Sequence, residues 1–392
     1  MKNIVFFIIV AFLLSACSGN KSSSVALNMI GFDVTKTYPV KQLDIHDIAD
    51  VSYVILEADE DFLFDIPKAV LSESFIIVNP LKQQSFLFFD RTGKPISKVS
   101  HRGDGPEEYV RTERFLYVEK EDNLYLVSWL PDDKPKIRVY SKDGVFKRDY
   151  STPLNMRIDA IYDYNDDLLL LYFADQQTPF GLFSKADGSM TFLTDIFIEK
   201  PEDMQVRFTD AIIPGTTTRT NGFFYFFGFY VVKNNNDLLL TEYGRDTIYR
   251  MMPDKQLSPA LIRRPSVDAT DPKIAVHPFI ESSEYLFFSS VRREYDQEQF
   301  KAFPKTAYLI DKSNGQVYTQ QITNKDYEDD EELIIDPNIV NTFLSPNVGI
   351  VHYSIDKLTQ ANEKGKLKGK LKELFDQMSR DDEFIHMIFQ LK

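Results

Sequence analysis

Cysteine is almost missing from this chain: Cys17 is the only one in 392 residues. One thiol excludes an internal disulfide framework and any site built from several thiolates. Tryptophan is as scarce, with Trp129 alone, so neither a Trp-Asp repeat nor a tryptophan-docked propeller is supported. Five histidines (His46, His101, His277, His352, His386) lie scattered without ligand spacing, and a structural or surface role is expected for each. Neither the Gly-x-Ser-x-Gly elbow nor His-Glu-x-x-His occurs. The sialidase-type Asp box is missing too. Gly365 to Lys370 (GKLKGK) has one residue too few between its glycines for a phosphate loop, and no strand leads into it. Basic residues are in deficit, giving a net charge of −14, which repels nucleic acid and anionic head groups. Asp326–Glu332 (DYEDDEE) concentrates acid without the spacing of a calcium loop, and it reads as a solvated loop. No metal and no cofactor is expected, and no nucleic-acid partner.

The N-terminus carries a different message. Lys2 is followed by an unbroken apolar run, Ile4 to Leu14, of eleven residues. That suits a signal peptide and falls short of the ~20 residues that span a membrane. The run ends in Leu14-Ser15-Ala16-Cys17, which resembles the bacterial lipobox. The resemblance implies cleavage after residue 16 and acylation of Cys17. Several acyl chains anchor a protein durably, where one does so only marginally. Residues 17–30 then form the lipidated cysteine and a flexible tether, with SGNKSSS at its start. Residues 31–392 read as one domain. Ser18 and the lack of an acidic tract after the cysteine favour an outer-membrane lipoprotein of the cell envelope that faces the periplasm.

What the chain has in abundance is aromatic and sheet-forming residues: 32 Phe and 20 Tyr, with 43% hydrophobic content. Short apolar runs recur between turn clusters, among them Phe75–Val78, Leu124–Trp129, Leu168–Phe173 and Ala307–Asp311. They are too short for core helices and read as strands. Helical periodicity is confined to about Ile355–Arg380. Phe223–Tyr230 (FFYFFGFY) reads as a strand buried on both faces, with Gly228 allowing close backbone approach; a carbohydrate platform is the competing reading. Four segments share one form: FFDRTGK (88–94), VYSKDGV (139–145), LFSKADGS (182–189) and LIDKSNGQ (309–316). Each is a strand, then a polar turn closed by Gly, which supplies positive φ, then a departing strand. IYRMMPDKQ (248–256) is a weaker relative. The first glycines recur after 51 and 44 residues, the length of a four-stranded propeller blade. Counting a last unit from Phe343–Ser354 with Glu383–Leu391 gives about six blades. The expected fold is all-β, a six-bladed β-propeller with a short helical insertion near the C-terminus; a β-sandwich is the competing assembly.

Several local motifs strengthen the propeller. Val51–Glu57 (VSYVILE), Gly103 to Tyr109 (GDGPEEY), Asp246 to Tyr249 (DTIY) and the ending IFQLK resemble the six-bladed β-propeller lipoproteins of Bacteroidota, a family largely without assigned function. The resemblance implies the fold and is nearly silent on chemistry. Glu107 stands where that family usually has glycine, which questions the backbone conformation of the loop.

Three clusters could bind a ligand. Arg102, Asp104, Glu108 and Tyr109 place both charge signs and a phenol in an inter-blade loop, where propeller ligands gather. Glu108 and Tyr109 could equally pin that loop to the next blade. Tyr243 with Arg245, and Arg292 with Arg293, set guanidiniums near aromatics, suited to a sugar or a carboxylate. Inter-blade ion pairs are the plainer alternative. The expected function is a membrane-tethered, non-catalytic binding or scaffold propeller recognising a glycan, a peptide or an envelope protein. The alternative is a hydrolase or lyase acting on glycan or peptide at the central channel, which would need two carboxylates within ~5–10 Å of each other.

Overall fold

The computed structural model describes residues 29–392 apart from 58–61, 63–68, 81–83, 130–134, 153–155, 200–203, 227, 229, 235, 299, 329–332, 334, 336–345 and 380–382. The signal peptide, Cys17 and the tether up to residue 28 lie outside the described residues, as does most of the acidic cluster. Within them the chain forms a six-bladed β-propeller with three short α-helices, two of them near the C-terminus.

Blades I to III are four-stranded antiparallel meanders. Blade I runs Ala69–Leu71, Phe75–Val78, Phe86–Asp90 and Pro95–Val99. Blade II runs Arg111–Val118, Asn123–Trp129, Pro135–Tyr140 and Phe146–Ser151. Blade III runs Ala160–Asp163, Leu168–Tyr172, Phe180–Ser184 and Met190–Phe192. Blade IV comprises Val231–Lys233, Leu238–Leu240, Thr247–Met251 and Leu257–Arg264. Blade V comprises Ile274–Glu281, Tyr285–Arg292, Lys305–Asp311 and Gln316–Thr323. Blade VI brings Val348–Ser354 and Phe384–Leu391 together with the N-terminal Ala49–Val54.

Period-2 alternation explains why these sheets stack into a ring. In FIIV of blade I, Ile76 and Val78 point into the wedge shared with blade VI, while Ile77 points into the wedge shared with blade II. The next strand repeats this: Leu87 and Phe89 on one side, Phe86 and Phe88 on the other. Both faces of each blade are therefore apolar, and neither can remain in water. Six buried clusters result, one between each pair of neighbouring blades around the whole ring. Each fully buried Phe or Leu contributes about 1.5–3 kcal/mol, so the wedges dominate the stability.

The repeated turn joins the third and fourth strands of blades I, II, III and V. Its glycines Gly93, Gly144, Gly188 and Gly315 all have positive φ, between 70° and 94°. In blade IV the weak relative is closed by Lys255, a non-glycine residue at φ 70°.

The N-terminal segment forms a strap that sequence reading recognised only at its end. Ile30–Asp33 adds a fifth, parallel strand to the outer edge of blade IV. Val40–Asp44 does the same for blade V. A four-residue helix, α1 (Ile45–Ile48), then leads into Ala49–Val54, which pairs with the C-terminal strand and closes the ring. These pairings cover sheet edges that would otherwise offer a template for association. The helical stretch divides into α2 (Ile355–Glu363) and α3 (Gly369–Phe375), separated at Gly365, whose φ is 69°. Leu358, Ala361 and Leu371 bury one face of this pair against blades V and VI.

Antiparallel order sends the first-to-second and third-to-fourth turns to one end of each blade, called the turn face here. The second-to-third and inter-blade connections reach the other end, the loop face. Two insertions stand on the loop face. One is the hairpin Gln205–Ile212 with Arg219–Tyr225, between blades III and IV. The other is a short ribbon, Tyr295–Asp296 with Lys301–Ala302, inside blade V.

Candidate functional site

In blades III and V the basic residue inside the repeated turn holds a charge network on the turn face. Lys185 follows the third strand of blade III, and its side chain is 7% exposed. Its ammonium donates to Glu121 of blade II at 2.6 Å, to Asp163 of its own blade at 2.9 Å and to the Asn165 carbonyl at 2.7 Å. Asp163 also receives Lys233 of blade IV at 3.0 Å. Burial pushes the Asp163 carboxyl up, but Lys233 and Lys185 more than offset it and hold it below the usual range. Lys312 plays the same part in blade V, reaching Glu281 at 2.5 Å. Arg250 of blade IV spans Asp237 at 2.6 Å and Glu281 at 2.8 Å. Burial raises Glu281 as well, and Arg250 with Lys312 brings it net lower. The acids of these networks meet through shared cations and join neighbouring blades. A glycosidase needs one carboxyl that keeps its proton, and Asp163 and Glu281 are both shifted the other way.

A cleft of about 520 Å³ opens on the turn face between blades II and III, lined by Asn123, Tyr125, Lys147, Arg148, Asp166 and Lys185 among others. Its cations are committed: Lys147 donates to Asn123 Oδ1 at 2.9 Å, and Lys120 at its margin pairs with Asp166.

On the loop face, the segment from His101 to Tyr109 is a pinned turn. Tyr109 is fully buried, donates its hydroxyl to the Gln84 carbonyl at 2.7 Å and pairs by backbone with His101. Glu108 accepts the Gly105 amide at 2.8 Å, and its carboxylate lies where a Cβ on Gly103 would be. Tyr140 donates to the Glu107 carbonyl and Arg138 to that of Pro106, at 2.6 and 2.8 Å. The pinning role thus accounts for Glu108 and Tyr109. Glu107 is not among the residues with positive φ, so its replacement of glycine brings no strain. Arg102 and Asp104 are exposed on the outside of the turn.

Tyr243 is 3% exposed, inside an aromatic knot between blades III, IV and V. Tyr230, Phe226 and His277 lie 5.3, 5.4 and 5.9 Å away, and Tyr172 stacks on Tyr230 at 3.7 Å. Gly228 is required there: a Cβ would strike the His277 ring and sit 2.5 Å from the Tyr243 hydroxyl. Burial holds the phenols of Tyr172 and Tyr243 well above their ordinary range, and that of Tyr230 up at about 12, so none acts as a base. Arg245 donates to the Phe197 carbonyl and to Tyr249 Oη at 3.2 Å. Asp246 accepts the Val267 amide at 2.7 Å and lies 3.7 Å from Arg263, a guanidinium that is 1% exposed. The motif DTIY therefore supplies the counter-ion of a buried arginine. Arg292 pairs with Glu294 at 2.8 Å. Arg293 donates to the Gln205 carbonyl at 3.1 Å and ties the two insertions together. Tyr243 and Arg293 do meet, along a crevice shared with Met204, Val267, Lys273 and Ala275, but it is too tight to admit water. Arg102 and Asp104 lie apart from them, in the connection between blades I and II.

The long hairpin corrects one expectation. Residues 223–225 of FFYFFGFY are not buried on both faces. Phe224 packs inward with Phe208, Tyr295 and Phe300, whereas Phe223 and Tyr225 are 54% and 48% exposed. Arg207 lies directly across the ladder from Phe223, also exposed. A two-stranded ribbon has only one partner to cover it, so alternation leaves its second face in water. Phe227 and Phe229 lie outside the described residues.

Histidines behave as structural groups. His352 and His386 are neighbours across blade VI, Nδ1 to Nδ1 at 2.7 Å, and His101 stacks on Tyr140. Among the described residues, no group of three His, Cys, Asp or Glu is placed to hold a metal ion, and no helix is long and apolar enough to cross a membrane.

Comparison with known proteins adds fold and family. A crystal structure of a Bacteroides fragilis protein assigned as exported superposes with a TM-score of 0.60 at 14% identity, covering 93% of this chain and 99% of its own. A DUF4221 family member from Bacteroides vulgatus gives 0.48 at 10% identity, covering 88% and 99%. A Bacteroides thetaiotaomicron protein of unknown function gives 0.36 at 12% identity, covering 69% and 64%. At such identities the first likeness speaks for the propeller fold and nothing finer. No curated protein matches the chain. The domain of unknown function DUF4934 matches residues 30–390, essentially the whole propeller with its strap, and the chain belongs to that family.

Proposed function

We propose that this protein is a non-catalytic binding propeller of the cell envelope, tethered through a lipid on Cys17 and presenting its loop face to a macromolecular partner. The observation that carries the reading is the outward face of the long hairpin. Phe223 and Tyr225 meet edge to face at 4.9 Å on a solvated ribbon, beside Arg207, in a protein whose other large aromatics are mostly buried. Rigid aromatics with an adjacent arginine are the residue types that anchor interfaces. Asp163 and Glu281 on the turn face, by contrast, belong to structural ion-pair networks. A peptide or envelope protein fits an exposed ribbon better than a free sugar does, because the edge of one ring already covers a face of the other and leaves no flat aromatic pair for a sugar to stack on. Ser18, and the Gly19-Asn20-Lys21 that follows it, support an outer-membrane address facing the periplasm.

Photo-crosslinking in intact cells tests the reading, with a photoreactive residue at Thr209 on the hairpin and another at Asp187 on the turn face. A discrete adduct from position 209 that disappears with Phe223→Ser/Tyr225→Ser is expected. Equal adducts from both positions, or an adduct indifferent to the double substitution, would refute the docking face. Turnover of envelope glycan or peptide by the purified protein would instead establish the catalytic alternative.

A further inference from the structure

The strap fixes which side of the propeller meets the membrane. Ile30 pairs with Leu261 and Asp33 with Arg264, in parallel. The chain therefore enters blade IV travelling in the direction of Leu257–Arg264, from the turn face towards the loop face. Met29, the residue before Ile30, lies on the turn-face side of that strand. Twelve residues lie between Cys17 and Ile30, thirteen steps of chain. Fully stretched they reach roughly 45 Å, and a flexible chain of that length averages about 20 Å.

We infer that the turn face of blades IV and V is the membrane-proximal surface and that the loop face, with its hairpin, points away from the bilayer. This rests on the lipid tether proposed above. With the turn face down, the tether has to cover only the first part of one strand. With the loop face down, it must double back along the rim of blade IV and past the insertions on that face. That arrangement lengthens the path the tether must cover and reduces its conformational freedom. The orientation points Phe223 and Tyr225 away from the lipid.

The test uses the full lipidated chain in liposomes of neutral and anionic phospholipid, where acylated Cys17 contributes no thiol. Single cysteines are introduced at Gln256 on the blade IV turn (Gln256→Cys) and at Thr217 on the hairpin tip (Thr217→Cys), both exposed positions. A fluorophore on each is then quenched by headgroup-spin-labelled lipid. The probe at 256 should be quenched several-fold more than the probe at 217. Equal or reversed quenching in chains that float with the liposomes overturns the orientation and leaves the tether standing. Wild-type chain that does not float, or floats no better than Cys17→Ser, overturns tether and orientation together. Inserting about twenty Gly/Ser residues after Ser24 should erase the difference; if the difference persists, the short tether is not its cause and the inference fails.

Discussion

Lys185 shows how a turn residue can carry an inter-blade joint. Its ammonium is buried and serves two carboxylates from two blades. Lys185→Met should cost about 3 kcal/mol, at the lower end for breaking a buried pair, since Lys233 still attends Asp163. Lys120→Met, which breaks the exposed pair with Asp166, should cost no more than about 1 kcal/mol. Chemical denaturation of both variants checks the contrast. The cation was visible in the repeat, as the Arg or Lys of DRTG, SKDG, SKADG and DKSNG. Its partners were not, because Glu121 comes from the preceding blade and Asp163 from the far end of its own blade's first strand, neither at a local spacing. The histidine pair makes a second prediction. Burial lowers His352 to about 4 and His386 to about 3, from 6.5. Between pH 6.5 and those values the unfolded chain binds more protons than the folded one, so stability is full above pH 6.5 and falls as the pH drops. The thermal midpoint should decline from pH 6.5 to 4.5, before most carboxylates titrate. A His352→Gln/His386→Gln chain should show a flatter profile over that window.

At the scale of the element, the N-terminal strap is the part least legible in advance. Val51–Glu57 was readable as a strand, but Ile30–Asp33 and Val40–Asp44 are short and carry no clear alternation. Their pairing is parallel and spans more than 200 residues of sequence, which no local pattern encodes. Deleting residues 1–36 should leave a folded propeller whose blade IV edge is bare and whose core loses Phe32, packed at 4.9 Å on Phe288. A lower thermal midpoint and concentration-dependent association in gel filtration are expected; a monomer as stable as the mature chain would contradict this. The hairpin is the converse case. FFYFFGFY is apolar enough to be a core strand, yet the chain leaves the blades there, and only its neighbours decide which rings are covered.

For the whole molecule, the six wedges form a closed series, so every blade depends on two others. Closure runs through the pairing of Ala49–Val54 with His386–Leu391. Intact protein should unfold in one cooperative transition. Ser52→Pro removes a ladder donor from the closing strand, because Ser52 faces Ile388 in the bonded register continued from Lys392 N–H to the Ile48 carbonyl. It should broaden or split that transition in calorimetry, where a loop substitution such as Asp104→Ala should not. If Ser52→Pro unfolds as sharply as the parent, the ring is held by something other than this closure.

The sequence alone determined the strand content, the turn glycines, the blade count, the helical insertion and the absence of familiar catalytic signatures. Each of these depends on residues close together in the chain, through alternation or turn chemistry. The loop from Gly103 to Tyr109 was legible as a motif, and its pinning role was one of two readings open. The tertiary structure supplies the pins, because Gln84 lies just before the third strand of blade I and Tyr140 ends the third strand of blade II. The same holds for the shared lysines, the buried Arg263 beside Asp246, the strap and the exposed face of the hairpin. All are set by contacts between segments apart in the chain, within a blade or across two, and such contacts follow from how the sheets and wedges assemble and not from any local spacing.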